Sequence, residues 1–134
     1  MLGKGQDKKP SLVFSCSGRM HLAQVGNDIA VTLQNDRAAT MGCIAGIASR
    51  IDSHLEEAQQ GHLVIAIDAC KCHCVKKCLN EKNIEIDKHF DLSKINDELQ
   101  KSETGNKIIN KEVTLANAMQ IMRIVYDRLG LQKR

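Results

Sequence analysis

A chain of 134 residues suits one domain around one core and leaves little room for a second. Its 43% hydrophobic and 26% charged residues are an ordinary globular balance, and a formal charge of +3, with no clustered basic face or stacking aromatics, excludes a case for nucleic acid. No stretch approaches the roughly 20 apolar residues of a membrane span, and the polar opening "MLGKGQDKKP" is no secretory signal, so a cytoplasmic protein without membrane contact is expected.

Residues 1–10 lack periodicity and read as a flexible lead to a single domain over residues 11–134. "SLVF" (11–14) is a short apolar strand, ended by "SCSG". From Leu22 to Leu33, Ala23, Ile29, Ala30 and Leu33 share one face of a helix. "ATMGCIAGIA" (39–48) reads as a strand turning into a helix around Cys43. Ile47, Ile51, Leu55 and Ala58 then recur at helical spacing, with Gly61 as the stop. "HLVIAID" (62–68) is the clearest buried strand, and its unbroken apolar run predicts a sheet covered on both faces. A short helix follows "DAC" through Leu79, and "NIEID" (83–87) reads as a weaker strand that can run on to Leu92. Residues 93–112 carry no decisive pattern. Leu115, Met119, Met122, Tyr126 and Leu129 form a last helical stripe, with Thr114 as N-cap and Gly130 after its end.

Strand and helix thus alternate three times before a helical C-terminus. This order predicts an α/β fold, a small three-layer domain with a mostly parallel sheet of about four strands and helices on both faces. Open α/β sheets form their sites at the carboxyl ends of the strands. Cys16, Cys43 and Cys70 each follow or end a predicted strand, so three separate segments deliver a cysteine to one edge.

The densest chemistry is "DACKCHCVKKCLN" (68–80), where four of six cysteines, Cys70, Cys72, Cys74 and Cys78, surround His73. In a reducing compartment cysteines act as ligands or reactive thiols more often than as disulfides. Packing alone rarely asks for so many thiols in so short a span. If a helix starts near Cys70, then Cys70, Cys74 and Cys78 share a face, and its N-terminus with Lys71, Lys76 and Lys77 favours thiolate. Thiolate is the form that binds zinc and attacks disulfides. Cys43, in an Ala/Gly/Ile run, suits a small buried residue as well as a ligand. His73 reads as an exposed helical residue, His21, His54, His62 and His89 as surface residues, and Asp68 as the cap of the following helix. The spacing C-x-C-x-C-x3-C is neither a paired zinc finger nor the thioredoxin C-x-x-C. "FSCSGR" is similar to the first loop of low-molecular-weight phosphatases, but Leu22 stands where their arginine is needed, which argues against that chemistry.

"VFSCSG" with "VGNDIAVTL", then "GCIAGIASRI", then "VIAIDACKCHCVKKCLN" resemble, in order, the DGC-domain family over about residues 12–92. That family is named for an Asp-Gly-Cys motif closing a strand. By position, Cys16, Cys43, Cys70 and Cys74 match its characteristic cysteines, and Cys78 lies in its "KKC" continuation. Ala69 replaces the glycine, and Lys71-Cys72 stands where a proline usually follows the cysteine, which makes Cys72 an added local thiol. The resemblance implies metal binding, and the expectation is one zinc ion held by Cys16, Cys43, Cys70 and Cys74, with Cys78 the first substitute. The competing expectation is a thiol redox or persulfide carrier, with Cys70 attacking and Cys74 or Cys72 resolving. A third is a protein-interaction module whose cysteines only brace the docking edge.

Overall fold

A computed structural model describes residues 11–104 and 115–131. The flexible lead expected at residues 1–10 and the cap expected at Thr114 lie outside the described residues. Four strands, β1 (Leu12–Ser15), β2 (Thr40–Met41), β3 (Val64–Asp68) and β4 (Lys88–Asp91), form one parallel sheet in the order β2-β1-β3-β4. Six helices connect and follow them: α1 (His21–Asn35), α2 (Ile44–Ala48), α3 (Asp52–Ala58), α4 (Cys74–Glu81), α5 (Leu92–Thr104) and α6 (Leu115–Arg128). The α/β fold expected from the alternating pattern is the one found.

The sheet separates two apolar layers because successive strand side chains point to opposite faces. Val13, Ile65, Ile67 and Phe90 pack under α1, α5 and α6, against Ile29, Leu33, Leu92, Ile121 and Val125. Leu12, Phe14, Val64 and Ala66 face the other way, against Ile47 of α2, Ala58 of α3, Val75 and Leu79 of α4, and Ile84. Every residue of β1 and β3 is buried. That is why "LVFS" and "VIAID" are apolar without alternation.

Three expectations shift. The helical spacing through Ile47, Ile51, Leu55 and Ala58 spans two helices rather than one, because Arg50 takes a left-handed φ of 60° between them. Ile51 is consequently 47% exposed and lies outside the core. Of the weaker strand read from 83 toward Leu92, only the later part forms, as β4, since Asn83 turns with φ 58° while Ile84 and Ile86 pack from a loop beside Val75 and Leu79. The undecided stretch from residue 93 is helical through Thr104. Gly61 (φ 83°) and Gly130 (φ 74°) take the left-handed backbone of helix-ending residues, as their sequence positions suggest.

Strand order places the site. From β1 the chain crosses outward to β2, then returns past β1 to β3 and moves on to β4. The carboxyl ends of β1 and β3 therefore flank the point where the winding reverses, which is where open α/β sheets leave a crevice.

Candidate functional site: thiols at the carboxyl edge of the sheet

Cys16 and Cys70 stand at that reversal point. The Cys16 amide donates to the Ile67 carbonyl at 2.9 Å, so β1–β3 pairing runs through the cysteine itself. Its half-buried side chain touches both apolar layers. Cys70 follows β3 in a tight turn, where the His73 amide donates to the Cys70 carbonyl at 3.2 Å. The helix expected to begin near Cys70 begins at Cys74 instead. Only Cys74 and Cys78 are therefore helical and four apart, while Cys70 and Cys72 belong to the turn. The turn costs one strained residue: His73 is left-handed at φ 52°, ψ 48°.

Two aspartates hold this turn in place. Asp68, 1% exposed, accepts hydrogen bonds from the Val75 amide (2.8 Å), the Lys76 amide (3.2 Å) and His89 Nε2 (2.8 Å). His73 is the N-cap residue of α4 but makes no side-chain cap, so Asp68 satisfies two of the helix's first amides from across the loop. The capping role expected of Asp68 is the one it performs. Asp91 is its neighbour in register on β4. One Asp91 oxygen caps α5, accepting from the Ser93 amide, the Ser93 hydroxyl and the Lys94 amide, and the other is 2.8 Å from His73 Nε2. The His73 and His89 rings meet edge to face at 4.8 Å. Each aspartate thus closes a strand, caps the next helix and fixes a histidine. His73 and His89, expected on the surface, are bound into this lattice. The sequence signal for it was thin: "DLS" at 91–93 is an N-cap pattern, whereas a cap acting seven residues ahead leaves no local trace.

The thiols affect one another. Burial pushes the Cys16 thiol pKa up; the Ala69 amide opposes this, and Cys74, Asp68 and Cys70 nearby add to the rise. Cys72 is raised chiefly by its interaction with the Cys70 side chain, with Cys74 adding and Lys77 opposing. Cys78 is raised by burial and then by Cys74. For Cys72 and Cys78, crowding and burial outweigh Lys77 and Lys82, which favour thiolate. Cys74 is the common neighbour of Cys16, Cys72 and Cys78. Cys43 stands at the N-cap of α2, exposed, its Sγ accepting from the Gly46 amide at 3.4 Å. Ala69 does not take a positive φ and is buried in the layer under α1, α5 and α6, so this position has no need of glycine's freedom.

Thiols of this kind suit zinc. Among the described residues, however, no three His, Cys, Asp or Glu side chains are placed to hold a metal ion as they stand. No helix among the described residues is long and apolar enough to cross a membrane.

No solved structure matches the chain significantly. Among characterised proteins it is similar to the anaerobic and virulence modulator AnvM of Pseudomonas aeruginosa, 37% identical over 93 residues, which cover 69% of this chain and 71% of the relative. The family model of the DGC domain matches residues 12–122, spanning the whole sheet and the cysteine turn. With its thiols at the carboxyl edge and its Asp-Ala-Cys closing β3, this cysteine-rich chain belongs to the DGC-domain family.

Proposed function

We propose that this protein holds one zinc ion in the cytoplasm through cysteine thiolates at the carboxyl edge of its sheet. The supporting observation is the position of Cys74 as shared neighbour of Cys16, Cys72 and Cys78, with Cys16 also within electrostatic reach of Cys70. Cys16, Cys70 and Cys74 are the ligands of this reading. Cys78, rather than Cys43, completes the set, because Cys43 is engaged with Gly46. Bound zinc would stabilise the thiolate forms that crowding disfavours and would tie the β1 loop to α4. The thiols are neighbours without being a formed shell, so binding itself would gather them. Four thiolates leave no open position, which makes the metal structural or regulatory. The relative's name, a modulator, agrees with a regulatory role.

One observation favours a second reading, thiol exchange: Cys72 interacts directly with the Cys70 side chain and is fully exposed. Metal content and a thiol titration separate the two. Untagged protein purified without added metal should carry about one zinc per chain, with about four thiols titrating only after chelation. Metal-free protein whose thiols all titrate at once would refute the zinc reading and leave exchange.

A further inference from the structure

Cys43 lies outside the cysteine turn in the chain and lines a cavity together with Ser15 and Ser17, the neighbours of Cys16. β2 pairs with β1 only at Leu12↔Thr40 and Val13↔Met41, so no β2 residue stands opposite Phe14 or Ser15. Beyond the end of this short strand a cavity of about 500 Å³ opens between α1 on one side and α2 and α3 on the other. That volume lies in the range of small-molecule sites. Its polar wall comprises Ser15, Asn27, Gln34, Cys43, His54 and Glu57, with Met41, Ile44 and Ala45 supplying apolar surface.

Three features distinguish this cavity from a surface hollow. Cys43 is held between two glycines on which rings rest. A Cβ on Gly42 would come within 2.4 Å of the Phe14 ring, and one on Gly46 within 2.5 Å of the His54 ring. The Gly46 amide then donates to the Cys43 sulfur, so backbone and rings together set where the thiol sits. Ser15 is only 4% exposed and lines the cavity, which places a hydroxyl at its floor. A hydroxyl there can donate to or accept from a polar group that enters the cavity. Glu57 is the carboxylate of the wall.

We propose that this cavity receives a small aliphatic disulfide carrying an ammonium group and that Cys43 forms a mixed disulfide with it. Glu57 selects the ammonium, Ser15 and the amides of Asn27 and Gln34 face the polar remainder, and Met41, Ile44 and Ala45 take the methylenes. In the reaction the Cys43 sulfur bonds to one sulfur of the ligand and the ligand's own S–S bond breaks. The other half leaves as a thiol carrying the proton that Cys43 gives up, and the disulfide itself is the oxidant.

The test treats the protein as purified, with its metal, using cystamine as a charged probe and hydroxyethyl disulfide as a neutral one, and reads intact mass and the modified peptide over time. One cystamine half per chain should appear on Cys43 first, and the adduct should be lost in Cys43→Ala. Glu57→Gln, an exposed and well-tolerated change, should slow cystamine about fivefold while leaving hydroxyethyl disulfide unchanged, as expected for one partly screened charge. Modification led by another cysteine, or equal slowing of both probes, would overturn the proposal. So would loss of zinc in Cys43→Ala, since it would move Cys43 into the metal site. If the protein holds no zinc at all, peptide mapping still shows whether Cys43 reacts first, so this proposal and the zinc reading fail separately.

Discussion

Removing the Asp68 carboxylate should destabilise the protein strongly while touching no cysteine. The group is buried and accepts from the Val75 and Lys76 amides and from His89. Hydrogen bonds to a charged group contribute about 1.5–3 kcal/mol each, so three independent ones would sum to about 5–9 kcal/mol. They share one acceptor, and water can enter the space left behind, which brings the expected loss for Asp68→Ala to about 3–5 kcal/mol. A domain of this size has about 5–15 kcal/mol in total. Asp68→Asn keeps one oxygen for the Val75 amide and lets His89 change tautomer but loses the bond from the Lys76 amide, so its loss should be about 1–2 kcal/mol. Urea unfolding gives both values from the midpoint shift at unchanged slope. Hydrogen exchange at the Val75 and Lys76 amides should quicken in the same order. If Asp68→Ala costs less than about 1 kcal/mol, or these amides stay protected, Asp68 does not hold the turn and the reasoning fails.

Ala69→Gly should destabilise by about 1 kcal/mol in the same unfolding assay, since the residue is buried without a positive φ and glycine only adds unfolded-state freedom; a gain in stability would contradict this geometry. Burial of Asp91 by itself would raise its pKa, but hydrogen bonds from Ser93, His73 and the Lys94 amide outweigh it and hold the carboxyl below its ordinary 3.8. A depressed folded pKa means that this stabilisation is complete above pH 3.8 and is lost as pH falls through the lower folded value, so an acid titration of Asp91→Asn should show less pH dependence there than the parent. Tyr126 donates to Asp36 at 2.7 Å and joins α6 to the end of α1, and burial followed by that bond raises its pKa. Tyr126→Phe should cost about 1–2 kcal/mol, seen as a lower thermal midpoint, and no change would mean that the bond contributes nothing net.

Strand and helix identity were legible wherever one physical rule dominated. "LVFS" and "VIAID" announce buried parallel strands, and Leu22–Leu33 announces a helix, because burial on two faces or one leaves a periodic record in composition. The arrival of Cys16, Cys43 and Cys70 at one edge also followed from strand order, since each comes just after or at the end of a strand. Ile51 shows the limit: it keeps perfect helical spacing with Ile47 and Leu55 yet is exposed, because a single left-handed residue at Arg50 reorients everything after it.

The sequence by itself determined the α/β alternation, the family and the gathering of cysteines at the carboxyl edge, since each is written in runs of adjacent residues. Tertiary structure alone decided which thiols influence one another, that α4 starts at Cys74, and that Asp68, His89, His73 and Asp91 interlock. It also decided that Cys43 lines a cavity. The reason is range. Periodicity and propensity act over a few residues, whereas a carboxylate capping a helix seven residues ahead, or a histidine reaching it from the next strand, exists only once parallel pairing has brought Asp68 and Asp91 side by side.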